Sequence, residues 1–322
     1  MTRIQEISRS VLRFWPIRFV LHKSKITSLP GFRGIPVYDV VKFFFGQVKT
    51  VGMTERASAI SYNFFMAIPP SLIFLFTLIP LLPISRQFEQ ELYSLIRDVI
   101  PGEKNNAYLI QFLQDFINKP RNGLLSLGFI LSLFFSSNAV MGIMRSFDKN
   151  YIGFRKRKDY QKRGAALKIT LVLFILFLTS ILLLVAQGQV LKWIGIRSAV
   201  VRNIITNVRW VVILLLFFAS ISYIYRHAPA VHKKWRMINP GSILATFLMI
   251  LCTLGFTWYV NHFGNFNQVY GSIGTVLILL ILIFFNSLVL LIGFELNVSI
   301  STLKKIADER MQAEEGEQGI SA

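Results

Sequence analysis

Residues 237–294 read MINPGSILATFLMILCTLGFTWYVNHFGNFNQVYGSIGTVLILLILIFFNSLVLLIGF, without a single Asp, Glu, Lys or Arg. The chain that carries this uncharged stretch of 58 residues has a formal net charge of +19. A polar break at residues 262–268 divides the stretch into two parts, each longer than the roughly 20 apolar residues that cross the hydrocarbon core of a bilayer. The stretch is therefore predicted to form a membrane hairpin.

Four further runs without a charged residue lie upstream of this hairpin. The shortest of them, residues 210–225, is flanked by Arg209 and Arg226, whose side chains can reach toward the headgroups. With 53% hydrophobic and 16% charged residues, the composition also favours a membrane protein. The sequence predicts an all-α membrane protein with six transmembrane helices, at about 57–83, 122–146, 168–190, 207–225, 241–262 and 272–299.

Three segments outside the spans have the period of an amphipathic helix. Residues 37–51 predict an N-terminal interfacial helix that leads into the first span. Residues 88–99 and 109–116 predict two short helices in the first outer loop, which either roof a cavity or pad the bundle. The predicted organisation is a basic cytoplasmic segment at 1–35, a membrane domain at 36–300 and a disordered acidic cytoplasmic tail at 301–322.

The distribution of Lys and Arg predicts the orientation of the chain. If the N-terminus is cytoplasmic, 25 of these residues lie in inner segments and nine in outer segments. The inner loop at 149–168 alone contains eight. Because basic residues accumulate on the cytoplasmic side, both termini are predicted to be cytoplasmic.

The basic loops predict partners as well as topology. Anionic lipid headgroups account for most of the positive charge, and no motif for nucleic-acid binding accompanies it, so membrane lipids are the expected partners and nucleic acid is not. The chain has one cysteine, Cys252, which excludes a disulfide or a multi-cysteine metal site within it. We expect no cofactor and no metal.

Ionisable residues at the ends of spans are candidates for function, because charge in the bilayer is costly. Glu295 near the inner end of the sixth span, Arg145 at the inner end of the second, and Glu55 and Arg56 before the first are predicted to lie at similar depth. They could form a buried cluster in which each charge offsets the desolvation of another. The alternative is a structural ion pair, or charges that reach toward the headgroups.

Polar and helix-bending residues inside the spans are further candidates. Side chains that either bond between helices or line a polar path include Asn63, Asn138, Asn286 and Asn297. Pro69 and Pro70 are expected to kink the first span. Three glycines are predicted to permit close helix approach or a broken helix start: Gly271, Gly274 and Gly293.

Short motifs along the chain carry a resemblance: Ala57-Ser58-Ala59-Ile60-Ser61-Tyr62, Tyr225-Arg226-His227-Ala228-Pro229, Pro240-Gly241-Ser242, Tyr270-Gly271-Ser272-Ile273-Gly274 and Gly293-Phe294-Glu295-Leu296-Asn297. With them the chain resembles the YihY/BrkB family of bacterial inner-membrane proteins over about residues 36–300. It departs from the family at three positions, where Ala67, Asp148 and Leu282 stand for the usual Ser, Asn and Trp. The resemblance implies a multi-pass protein of the cytoplasmic (inner) membrane with an envelope function.

The family once carried a ribonuclease label, which the residues do not favour. Metal-assisted hydrolysis of RNA needs clustered carboxylates or histidines, and the four histidines, at 22, 227, 232 and 262, form no such motif. We therefore predict a protein that is not an enzyme. The first hypothesis is an envelope transporter or lipid-handling protein for an amphipathic anion or an ion, with Arg56 and Arg145 as the cationic floor of its cavity. The alternative is a non-transporting membrane scaffold that binds envelope partner proteins.

Overall fold

The structure, a computed structural model, describes residues 22–32, 34–50, 52–78, 110–111, 114, 122–148, 154, 157–193, 199–231, 234–263 and 272–320. Within these ranges the long helices are α1 (Val37–Thr50), α2 (Met53–Leu78), α3 (Asn122–Phe147), α4 (Asp159–Trp193), α5 (Ala199–His227), α6 (Pro240–Phe263) and α7 (Ser272–Ile320). The β-structure of the described residues is one isolated bridge, between Phe154 and Val231.

Helices α2 to α7 each contain a stretch that is long and apolar enough to cross a membrane. The predicted bundle of six spans is therefore confirmed. Helix α1 coincides with the amphipathic segment at 37–51, whereas the helices predicted at 88–99 and 109–116 lie almost wholly outside the described residues.

Helices α4 and α5 begin well before the spans predicted from charge. Helix α4 starts at Asp159 and α5 at Ala199, each about three turns before its uncharged run at 169–191 or 210–225. Charged residues mark where the hydrocarbon core ends, but a helix continues into the headgroup region wherever its residues are good helix formers.

The prediction of a disordered tail at 301–322 is wrong for residues 301–320, which continue α7. Two ion pairs four residues apart support this part of the helix, Lys304 with Asp308 at 2.7 Å and Lys305 with Glu309 at 3.7 Å. Low hydrophobicity shows that a segment cannot form a core by itself, but Ala, Glu, Lys, Arg and Gln all have high helix propensity.

The bundle is built around the contact between α2 and α3 and that between α6 and α7, while α7 also contacts α1 and α2. Small residues on α3 allow α2 to approach closely. A Cβ atom at Gly142 would lie 3.0 Å from the side-chain nitrogen of Asn63, and one at Gly128 would lie 3.4 Å from the Cα of Phe74. Close approach through small residues is typical of helix pairs in membranes, where packing and interhelical hydrogen bonds replace the hydrophobic effect.

Candidate functional site

A buried ion pair joins α2 to α7. Arg56 Nη1 lies 2.6 Å from Glu295 Oε1, and the two side chains are 7% and 0% exposed. Arg56 Nη2 also donates a hydrogen bond to the carbonyl oxygen of Ser146, in the last turn of α3. A cation at the C-terminal end of a helix is favoured by the helix dipole. Arg56 therefore connects three helices.

Aromatic side chains pack beside this pair. The rings of Phe147 and Phe294 stack with centroids 3.8 Å apart and an interplanar angle of 1°. Trp235 and Tyr225 complete the packing, with ring centroids 5.7 Å from Phe294 and 6.1 Å from Phe147 respectively. The side chains of Arg56 and Glu295 are themselves almost fully buried, so their attraction acts in a low dielectric.

Helices α6 and α7 cross where each has a glycine. A Cβ atom at Gly293 would lie 2.5 Å from Tyr225 Oη and 2.6 Å from the carbonyl oxygen of Gly241, so no larger residue fits without separating the helices. Tyr225 Oη donates to the carbonyl of Leu290 at 2.6 Å. Asn297 Oδ1 accepts from the backbone N–H of Gly241 at 2.9 Å. We call this region the node: Arg56, Phe147, Tyr225, Gly241, Gly293, Phe294, Glu295 and Asn297.

The node contains part of the predicted charged cluster. The expected placement of Glu295 inside the bundle beside an arginine is present, and its partner is Arg56. Arg145 and Glu55, in contrast, are exposed. Position along a helix sets the depth of a residue, but each residue turns by about 100° around the axis, so Arg145 points outward while Met144 and Ser146 are buried.

The predicted asparagines bond within or between helices. Asn63 Nδ2 donates to the carbonyl of Ala59 at 2.7 Å, and Asn138 Oδ1 accepts from Arg163 Nη1 at 2.6 Å. Asn286 Nδ2 donates to the carbonyl of Leu282 at 3.0 Å. Among the glycines, Gly293 lies in the node, Gly274 is buried near the start of α7, and Gly271 falls outside the described residues.

A cavity of about 470 Å³ lies between α2, α3 and α4 and is open on one side. We call it the lateral cavity. Its walls are mostly apolar, with small side chains at the back and partly exposed aromatic and aliphatic side chains toward the opening. The lining residues include Phe64, Ala67, Ser71, Leu72, Ser136, Ala139, Thr170 and Phe177. Pro69 and Pro70 lie inside α2 at the same level.

The hydroxyl groups of the lateral cavity have partners in the protein. Ser71 Oγ donates to the carbonyl of Ala67 at 2.7 Å and lies 3.4 Å from Ser136 Oγ, and Thr170 Oγ1 donates to the carbonyl of Ala166 at 2.8 Å. Because these hydroxyl groups already have hydrogen-bond partners, they do not require a polar ligand. Its volume lies in the usual range for small-molecule sites, and its surface suits an apolar group.

The expected cationic floor of Arg56 and Arg145 is wrong. The described residues that line the lateral cavity carry no formal charge. Arg56 is neutralised by Glu295 in the node, and Arg145 is exposed. The two arginines therefore do not form a site for an anion in this cavity.

Sequence reasoning missed Arg157. Its guanidinium donates to the carbonyl oxygens of Ala228 at 2.9 Å, Pro229 at 3.2 Å and His227 at 3.3 Å, and so caps the end of α5. Partial burial lowers the pKa of Arg157, and the charge of Asp148 opposes that shift. The basic residues of the loop at 149–168 predict topology, and the preference of cations for helix C-termini is the signal that indicates this second role.

Sequence reasoning also missed the cap of α6, which the pattern Asn-Pro at 239–240 could have indicated. Asn239 Oδ1 accepts from the backbone N–H of Ser242 at 2.8 Å and from Asn297 Nδ2 at 2.6 Å. Asn is a preferred N-cap residue, and Pro is favoured at the first helical position.

The residues of the node all lie within the stretch of the chain that matches a known protein family. The sequence profile of the family described as "Virulence factor BrkB" matches residues 44–318. The chain belongs to this family. The stretches that suggested the BrkB family from the sequence, around Tyr225, Gly241 and Glu295, meet in the node.

Curated relatives include the "Putative ribonuclease-like protein YfkH" of Bacillus subtilis, which is 27% identical over 79% of this chain and 92% of its own length. Two proteins called "UPF0761 membrane protein" are more distant. The protein of Chromohalobacter salexigens is 24% identical over 75% of this chain and 58% of its own length. The protein of Histophilus somni is 20% identical over 88% of this chain and 96% of its own length. No solved structure matches the chain. This BrkB-family chain is thus a multi-pass membrane protein.

Proposed function

We propose that this BrkB-family protein handles membrane lipids by taking the acyl chain of an amphipathic lipid into the lateral cavity. The observation that carries the proposal is an open, apolar cavity of about 470 Å³ on the flank of three spans. A ligand that enters from the side of a membrane bundle comes from the bilayer, and an acyl chain matches the lining.

The depth of the lateral cavity supports a lipid chain as the ligand. Ala67 and Ser71 follow Arg56 by 11 and 15 residues on α2. At 1.5 Å per residue the cavity lies about 16–22 Å along the helix from the ion pair, and its lining residues all lie within the candidate spans of α2, α3 and α4. Acyl chains occupy this depth, whereas headgroups do not.

We further propose that the protein lies in the bacterial inner membrane with both termini in the cytoplasm, and that it is not an enzyme. The 25 to nine distribution of Lys and Arg supports the orientation. No group of three or more His, Cys, Asp or Glu residues that could hold a metal ion occurs in the part of the chain that the structure describes. The proposed binding of an acyl chain in the lateral cavity involves no hydrolytic step.

Variants that fill the lateral cavity test the proposal. Purified protein is reconstituted with a fluorescent phospholipid, and both the lipid that stays bound and the lipid that crosses between leaflets are measured. Ala139→Phe and Ser136→Leu place bulk in the cavity and are expected to lower both signals severalfold. The control is Ile130→Phe, which adds bulk on the same helix at a position that is 63% exposed.

Two outcomes would contradict the proposal. If all three variants behave like the wild type, the lateral cavity is not where lipid acts. If wild-type protein binds no more fluorescent lipid than membranes without the protein do, the scaffold hypothesis replaces lipid handling.

The orientation has its own test. In a Cys252→Ser background, single cysteines replace Lys104 in the first outer loop and Lys158 in the basic loop, and spheroplasts are treated with an impermeant maleimide. Lys158 is exposed and leaves the Arg157 cap intact. We expect the cysteine at position 104 alone to be labelled. Labelling of the cysteine at position 158 alone would show that the orientation is the opposite one.

A further inference from the structure

A second large groove, of about 890 Å³, lies between α1 and the part of α7 that follows Ile300. It is formed by residues at and before α1, among them Asp39, Lys42 and Phe43, and by Leu303, Ile306 and Arg310 of α7. We propose that this groove binds the headgroup and glycerol backbone of an anionic membrane phospholipid.

The position of α1 places the groove at the border of the membrane. Val40 is fully buried and packs with Ile300 of α7. On α7 the apolar run gives way to charge just beyond this contact, at Lys304 and Lys305. Helix α1 therefore lies beside α7 where a span passes from hydrocarbon to headgroups.

The outer face of α1 supports the same placement. Val41 is 42% exposed and Phe45 is 58% exposed, although both are apolar. Lys42 and Lys49 lie beside this face and are also exposed. A helix with an exposed apolar face flanked by lysines is typical of those that lie in the bilayer interface.

The chemistry of the groove matches a phospholipid headgroup. Lys42 and Arg310 supply two positive charges and Asp39 one negative charge, so the formal charge of the lining is +1. Among the described residues, neither Lys42 nor Arg310 is in a salt bridge, whereas Lys304 and Lys305 pair with acids of their own helix. A phosphate group can therefore be shared by Lys42 and Arg310.

The apolar part of the lining favours a lipid over a soluble phosphate. Phe43, Leu303 and Ile306 offer surface on which the glycerol and the first carbons of the acyl chains can pack. A free phosphate ion would leave this surface uncovered. The groove lies on α1 and α7, away from the lateral cavity of α2 to α4, so failure at one site leaves the other unaffected.

Lipid titration followed by native mass spectrometry tests the proposal on the full-length protein. Phosphatidylglycerol and phosphatidylcholine are added separately to wild-type protein in detergent. The groove variant is Lys42→Glu with Arg310→Glu. The control is Lys49→Glu with Lys305→Glu, which makes the same charge change on the same two helices at exposed positions outside the groove lining.

Phosphatidylglycerol is expected to bind the wild type more tightly than phosphatidylcholine does. The groove variant should lose roughly tenfold or more of that affinity, because each basic residue near an anionic surface contributes about a factor of five to binding. The control variant should lose much less, and addition of glycerol 3-phosphate at the lipid concentration should displace no lipid.

Three results would overturn the proposal. Equal losses of affinity for phosphatidylglycerol in the groove and control variants would mean that the lipid is attracted by the whole basic surface and not by the groove. An unchanged affinity in the groove variant would exclude the groove. Displacement of phosphatidylglycerol by glycerol 3-phosphate would show that the groove binds a soluble anion instead of a membrane lipid.

Discussion

The node and the lateral cavity use α2 and α3 in opposite ways. In the node, Arg56 and Phe147 are enclosed by charge pairing and ring stacking, and an added Cβ at Gly293 would meet atoms 2.5–2.7 Å away. About 16–22 Å farther along α2, the same two helices and α4 line a cavity of about 470 Å³. The tightly packed end fixes the helices, and the open middle leaves room for a ligand.

A residue can be important because it maintains the fold or because it lines the ligand site, and the two regions separate these roles. Glu295 and Gly293 carry the sequence motif that first suggested the family, and the structure gives both a packing role. Ala139, which lines the lateral cavity, belongs to none of these motifs. We infer that the motif residues of this chain maintain the fold that creates the site.

The largest expected effect comes from breaking the ion pair of the node. Glu295→Leu leaves Arg56 buried and uncompensated, which should lower the stability of the protein by about 3–5 kcal/mol. The double variant Arg56→Met with Glu295→Leu should recover most of that loss, because neither charge then remains. Thermal unfolding of purified protein in one detergent measures both.

The control for the ion pair is Glu309→Leu, which changes an acid of α7 that is 58% exposed and should alter stability by less than about 0.5 kcal/mol. A Glu295→Leu variant as stable as this control would contradict a structural role for the pair. A double variant as unstable as Glu295→Leu would mean that Arg56 has a further essential partner.

A single carbon atom added to the node should have the next largest effect. Gly293→Ala forces α6 and α7 apart and is expected to cost about 1–3 kcal/mol, as overpacking does. The matched control is Gly255→Ala in α6, where an added Cβ would meet no atom within 4 Å. Because Ala has higher helix propensity than Gly, the control should be neutral or slightly stabilising. Equal loss of stability in both variants would contradict the close crossing.

A single oxygen atom added to the lateral cavity should have the smallest effect. Ala67→Ser adds a hydroxyl that can bond to a carbonyl of its own helix, as Ser71 Oγ does. Stability should change by less than about 0.5 kcal/mol. Retention of a phospholipid should fall only slightly, because the rest of the lining stays apolar. A loss of stability as large as that of Gly293→Ala would show that the cavity is as tightly packed as the node.

Charge and hydropathy were sufficient to predict the six spans and the depth of Glu295 and Arg56. They could not predict which face of α3 carries Arg145, since depth is read along the chain and direction depends on packing. The acidic composition of the tail indicates disorder and does not predict the helix at 301–320, although the Lys-Asp and Lys-Glu spacings support one. The lateral cavity could not be predicted, because it depends on how far α4 stands from α2 and α3.

Photolabelling with a phospholipid that carries a diazirine in its acyl chain tests most directly whether the lateral cavity holds lipid. After reconstitution and irradiation, mass spectrometry maps the labelled residues. We expect adducts to concentrate on Phe64, Leu72 and Phe177 and to fall severalfold in Ala139→Phe, while adducts on the exposed residues Ile130 and Leu254 stay unchanged. Adducts spread evenly over exposed apolar residues of all spans, with no change in Ala139→Phe, would contradict the account.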